Sequence, residues 1–122
     1  MSLIKLQVNT GNQKYPIHIG NNILNKIQEL LKENSINFDQ CLVVADKNVP
    51  KKFINIILSS LPKKKIVFHY FNANEKNKNQ NSVDKILSIL LRKNFNRNDC
   101  LISVGGGITG DVSGFAASMF KR

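Results

Sequence analysis

Hydrophobic and polar positions alternate over residues 3 to 9, LIKLQVN, until Thr10-Gly11-Asn12 breaks the run, and Tyr15 to Ile19 resumes it. That period of two predicts a β-hairpin with one buried face. Gly20-Asn21-Asn22 ends it and can cap a helix in which Ile23, Leu24, Ile27, Leu30 and Leu31 share a stripe, closing near Asn34. From there strands alternate with helices. Cys41 to Ala45 is a continuous apolar run of strand length, as expected of a strand covered on both faces. Pro50 suits the first turn of the next helix, whose Phe53, Ile54, Ile57, Leu58 and Leu61 form its buried side before Pro62 stops it. Ile66 to Tyr70 reads as a second strand and opens onto the polar stretch 72–81. A third helix carries Val83, Ile86, Leu87, Leu90 and Leu91, and residues 94–99 return the chain to a third strand, Leu101 to Val104.

Three strands alternating with helices imply right-handed crossovers and a parallel sheet with helices on both sides, bordered by the hairpin. The fold class is α/β, Rossmann-like. The third strand runs straight into Gly105-Gly106-Gly107-Ile108-Thr109-Gly110, which satisfies G-x-G-x-x-G in its strand-to-helix context. After it, Ile108, Val112, Phe115, Ala116, Met119 and Phe120 recur at spacings of three and four, predicting an amphipathic helix. Free N–H groups and the positive dipole end at a helix N-terminus favour an anion, and glycines let a phosphate approach the backbone, so a diphosphate fits best. The structural alternative is a tight turn, with Gly110 and Gly114 letting the helix pack closely on the sheet. The acidic ribose ligand about 20 positions downstream in dinucleotide folds would fall beyond Arg122. It must come from elsewhere.

At 122 residues the chain is one domain, spanning 1–122, with room for a real core. Lys121-Arg122 follows an apolar helix with no C-cap glycine or proline, so the chain is expected to be a fragment of a longer enzyme. Its formal net charge of +10 admits nucleic acid, an anionic membrane or an anionic small substrate. Lys outnumbers Arg 15 to 3 and no aromatics interleave with the charges, which argues against nucleic acid. No stretch is long and apolar enough for a membrane span, and the N-terminus lacks a signal pattern, so a soluble cytoplasmic protein is expected. Cys41 and Cys100 are isolated from each other and from His18 and His69, without metal-ligand spacing, and read as buried free thiols of a reducing compartment rather than as a disulfide or catalytic residues.

In open parallel sheets ligands bind beyond the C-terminal ends of strands. Asp46-Lys47-Asn48, the 72–81 loop and the glycine turn are such ends. Asp46 suits a carboxylate accepting ribose hydroxyls, or an ordinary N-cap for the following helix. Asp111, placed in the first turn of the last helix, also serves the helix dipole. Glu75 and Lys78 are equally readable as solvated loop charges, and His18 and His69 as structural histidines.

With these residues placed, the chain resembles the N-terminal half of the 3-dehydroquinate synthase family over essentially its whole length. The most specific match is GGGITGDVSGFAASMFKR, similar to the family's GGGxxGDxxGFxAxxxxR segment. Tyr15-Pro16-Ile17 with Ile19-Gly20, Asp46 with Asn48, and Glu75-Lys76-Asn77-Lys78, similar to the family's GEKxK loop, support it. The resemblance implies that Asp46 and Asn48 hold the adenosine ribose of NAD, that Glu75 and Lys78 reach the cofactor, and that Gly106, Gly107 and Ile108, with Gly110 in the same turn, pass the diphosphate. Asp111 would face the nicotinamide ribose, and Arg122 would reach the substrate phosphate. Asn74 and Asn79 depart from the family's usual Gly and Ser or Thr. The implied activity is conversion of 3-deoxy-D-arabino-heptulosonate 7-phosphate to 3-dehydroquinate and phosphate in the shikimate pathway. It would use NAD and a divalent metal, zinc or cobalt, whose ligands lie in a C-terminal helical domain absent from this chain. A homodimer is implied for the full-length enzyme. This fragment alone would be inactive. Other readings are a related cyclase, a metal-dependent polyol dehydrogenase, or a stand-alone nucleotide-binding module.

Overall fold

The computed structural model describes residues 4–61 and 65–120. Strands β1 (Ile4–Thr10) and β2 (Gln13–Ile19) form the hairpin around Gly11, whose φ of +52° is one that glycine adopts without strain. A 3-10 turn, Leu24–Lys26, leads into α1 (Ile27–Glu33). Then follow β3 (Gln40–Asp46), α2 (Lys51–Ser60), β4 (Lys65–Phe71), α3 (Gln80–Arg92), β5 (Cys100–Val104) and α4 (Gly107–Phe120). The last three strands make a parallel sheet in the order β4-β3-β5.

Strand β3 is central because its sequence leaves no polar face. Cys41 to Ala45 are all fully buried, and alternate residues serve opposite layers. Leu42 and Val44 pack with Val83, Ile86 and Leu90 of α3 and with Val112 and Ala116 of α4. Cys41 and Val43 pack on the other side with Ile57 of α2 and with Leu24, Ile27 and Leu31 around α1. The sheet is therefore sandwiched, and the Rossmann-like α/β expectation holds.

Several expected faces differ. The apolar side of the hairpin, expected to be buried, leaves Ile4, Leu6, Tyr15, Ile17 and Ile19 exposed, because the hairpin is a separate two-stranded sheet that adds no strand to the parallel one. Pro50 is the residue before α2 rather than within its first turn, and Phe53 stays exposed beside buried Ile54 and Ile57. Leu91, expected in the α3 stripe, is 67% exposed. In α4 the fully buried stripe is Thr109, Val112, Ser113 and Ala116, while Phe115 and Met119 face outward. That helix is apolar nearly all round, so periodicity alone had little contrast with which to choose its buried side.

Helix ends are closed by residues in the left-handed region. Ser35 after α1 and Asn94 after α3 both have φ +56°, with Ile36 N–H donating to Leu31 O at 2.9 Å and Phe95 N–H to Leu90 O at 2.9 Å. Beyond Asn94, Asp99 ties the strand N-terminal ends together. Its carboxylate accepts from Gln40 N (3.2 Å), Gln40 Nε2 (3.1 Å) and Asn96 N (2.9 Å). Burial pushes the Asp99 carboxyl up, but the accepted hydrogen bonds from Asn96, Gln40 and Asp39 outweigh it and hold it below its ordinary 3.8. A depressed carboxylate stabilises the fold above its unfolded value and stops doing so as pH falls through its folded value. Asp99→Ala is expected to cost about 1–2 kcal/mol at neutral pH. The gap from wild type should close in urea denaturation series as pH drops below 3.8. A gap independent of pH would separate Asp99 from this role.

Candidate dinucleotide site

The strand register brings three loops to one edge of the sheet. Asp46 at the end of β3 pairs with Phe71 at the end of β4, Ala45 pairs with Val104 at the end of β5, and Lys47 N–H donates to Phe71 O at 2.9 Å. From β3 the chain passes to α2 on one face of the sheet, and from β5 to α4 on the other. Loops leaving adjacent strands for opposite faces open a crevice between them, which in doubly wound sheets is where ligands sit. Asp46 and the glycine turn stand side by side at that point of the sheet.

Gly105 is the tight point of this crevice. Its φ is +152°, and a Cβ there would stand 2.8 Å from Thr109 Oγ1 and 3.0 Å from Asp46 Cβ. Only glycine fits. Helix α4 begins at Gly107, earlier than the sequence pattern suggested, so Gly107 to Gly110 are its first turn. A Cβ on Gly106, Gly107, Gly110 or Gly114 would meet nothing within 4 Å. The glycines at 110 and 114 thus do not serve close packing on the sheet. Gly106, Gly107 and Gly110 leave the start of a 14-residue helix bare, and the N–H groups that precede the Gly110 N–H···Gly106 O bond (3.1 Å) are available to an anion. Those residues fit a diphosphate.

The 72–79 loop is built by its own asparagines. Asn74 Oδ1 accepts from Asn77 N at 3.0 Å, capping the 3-10 turn Glu75–Asn77, and Asn77 Nδ2 donates to Asn72 O at 2.8 Å. Asn79 Oδ1 accepts from Ser82 N at 3.0 Å as the N-cap of α3. Asparagine caps as well as serine or threonine, which accounts physically for Asn79 at that position. The loop in turn carries Lys78 Nζ to 3.1 Å from Asp111 Oδ2, both side chains being solvated at 47% and 63% exposure. The hydrogen bond and charge of Asp111, with help from Glu75, raise the Lys78 ammonium above its ordinary range. The Lys78 ammonium therefore stays charged at neutral pH.

Of the residues predicted from sequence, the structure brings Glu75, Lys78 and Asp111 together around one ion pair and sets Asp46 against Gly105. Asp46 is not the N-cap of α2, which starts at Lys51. Its Oδ1 instead accepts from Asn48 N at 3.1 Å, closing a turn that leaves Asn48 exposed. Asp111 is the fifth residue of α4 rather than a first-turn residue, so the helix dipole accounts for less of it. Ile108 is half-buried, and Arg122 lies outside the described residues. Sequence reading missed Thr109, whose fully buried hydroxyl has no partner among the described residues and backs Gly105. Its only signal was a polar residue inside an apolar helix. Among the described residues no three of His, Cys, Asp and Glu stand together as a metal site, and no helix is long and apolar enough to cross a membrane.

Residues 68–122 match the family model described as 3-dehydroquinate synthase N-terminal. Over all 122 residues the chain is 68% identical to the 3-dehydroquinate synthase of Pelagibacter ubique, covering 33% of that protein. Over its whole length this chain is thus similar to part of a 3-dehydroquinate synthase. It is also 36% identical to the enzyme of that name from Buchnera aphidicola subsp. Cinara cedri, over 96% of this chain and 32% of the relative. The chain thus spans about a third of the length of the curated family members it matches. Two solved structures of 2-deoxy-scyllo-inosose synthase share the fold, each with a TM-score of 0.83 at 23% identity over 95% of this chain. One of them is complexed with carbaglucose-6-phosphate, NAD+ and Co2+.

Proposed function

We propose that this chain is the NAD-holding N-terminal domain of a two-domain 3-dehydroquinate synthase. The complete enzyme would convert 3-deoxy-D-arabino-heptulosonate 7-phosphate to 3-dehydroquinate and phosphate in the shikimate pathway. The observation that carries this reading is the meeting, at the C-terminal ends of β3 and β5, of Asp46 with Gly105 and the bare glycine start of α4. A NAD+ complex of a protein with the same fold supports the choice of dinucleotide. The amides of Gly106, Gly107 and Ile108 would receive the diphosphate, with Gly110 keeping the surface clear. Asp46 and Asn48 would accept the adenosine ribose hydroxyls. Lys78, paired with Asp111, would offer donors to the cofactor alongside Glu75, and Asp111 would offer the nicotinamide ribose an acceptor. Bound NAD would supply a hydride acceptor for a substrate hydroxyl. A divalent ion, zinc or cobalt, would take its ligands from outside the described residues, and Arg122 would meet the substrate phosphate. The complete enzyme would be a cytoplasmic homodimer, and this part alone would be inactive.

The test uses the complete gene product, titrated with NAD+ in a calorimeter and assayed for phosphate release from the heptulosonate. Asp111→Ala should weaken NAD+ binding roughly tenfold and reduce turnover by at least as much, through loss of a charged acceptor and release of Lys78. Its melting temperature should barely move, since the pair is solvated. Unchanged binding and turnover would remove Asp111 from the site. A protein that bound NAD+ but released no phosphate would keep the dinucleotide site and lose the synthase assignment.

A further inference from the structure

The two cysteines lie 59 positions apart in sequence, yet the fold sets them directly opposite each other, Cys41 on β3 pairing with Cys100 on β5. Neighbouring strands run about 4.8 Å apart, inside the Cα separation of about 4.4–6.8 Å that a disulfide spans. Both side chains belong to the same layer, with Phe38, Val43 and Ile102 around them, and both are free thiols. Their exposures differ. Cys41 is fully buried, whereas Cys100 is half-buried and borders a cleft of about 450 Å³ lined by Ser35, Ile36, Phe38 and Asn98.

We propose that Cys41 and Cys100 form a redox dithiol, with Cys100 as the thiol that meets a low-molecular-weight disulfide and Cys41 as the thiol that resolves it. The hydrogen bond from Cys41 lowers the Cys100 thiol, outweighing burial and the nearby Asp99 charge, while sharing that proton, together with burial, raises Cys41. The Cys100 thiolate attacks one sulfur of the external disulfide, forming a mixed disulfide and expelling a thiolate. That thiolate takes the proton of Cys41. The Cys41 sulfur then attacks Cys100 Sγ, the mixed disulfide breaks, and a second thiolate leaves to be protonated from water. Two protein thiols are oxidised and one external disulfide is reduced to two thiols. Closing the bond draws the Cβ atoms to about 3.8 Å, closer than facing strand positions stand. The pair is open in a reducing pool and closes when external disulfide accumulates.

The experiment is exposure of the folded, complete gene product to oxidised glutathione, acid quenching, and mass mapping of proteolytic peptides. The expected result is a peptide pair joined through Cys41 and Cys100 that reduced glutathione reopens. In Cys41→Ser, Cys100 should instead retain glutathione, and in Cys100→Ser, Cys41 should remain unmodified. A wild-type protein that stays unmodified, or that keeps glutathione on Cys100 without forming the internal bond, would overturn the proposal. Glutathione accumulating on Cys41 in Cys100→Ser as fast as on Cys100 in Cys41→Ser would overturn the assignment of roles. The wild-type measurement stands even if a variant fails to fold.

Discussion

Gly105→Ala is expected to destabilise the protein by about 2–6 kcal/mol, with a matching fall in the denaturant midpoint. Two costs combine. A φ of +152° lies where a residue with a Cβ is strained, about 1–3 kcal/mol in such regions. The added methyl would also stand 2.8 Å from Thr109 Oγ1 and 3.0 Å from Asp46 Cβ, forcing these neighbours aside. Neither neighbour yields easily, since Thr109 is fully buried and Asp46 ends the central strand. Overpacking of this kind costs about 1–3 kcal/mol. A variant with an unchanged midpoint would mean that the β5-to-α4 turn adopts another conformation in solution.

Gly107→Ala should behave in the opposite way. Its Cβ meets nothing within 4 Å and the position is helical, so stability should be unchanged or higher by up to about 1 kcal/mol. NAD+ affinity in the complete enzyme should fall at least tenfold, about 1.4 kcal/mol, because the methyl occupies the surface that the diphosphate must approach. Stability from urea denaturation and affinity from calorimetry separate the two effects. Equal NAD+ affinity in the variant and the wild type would show that the diphosphate does not pass Gly107. Together the two variants divide the glycines into one needed for the turn and others that leave room.

How far the sequence already carried this picture depends on where its information was local. The run Cys41 to Ala45 had no polar position to offer solvent, so a strand covered on both faces was its only economical state, and both faces are covered. The glycine turn was legible for the same reason: a strand, a helix and the conformational freedom needed between them are written within one stretch. The choice of buried face in α4 was not, because Phe115 and Met119 are as apolar as Val112 and Ala116 and only the neighbouring strand decides among them. The hairpin alternates cleanly, yet its apolar face stays exposed because alternation names a face and not what covers it.

The sequence by itself determined the order of strands and helices, the parallel sheet, the anion-friendly helix start and the family resemblance. Each follows from period, turn chemistry, a contiguous motif or the alternation of strands with helices along the chain. The tertiary structure alone decided that Lys78 meets Asp111, that Asp46 stands against Gly105, and that Cys41 faces Cys100. These partners are brought together by strand order and register, which depend on how the crossovers pack as a whole. A residue's own neighbours in the chain carry no record of that packing.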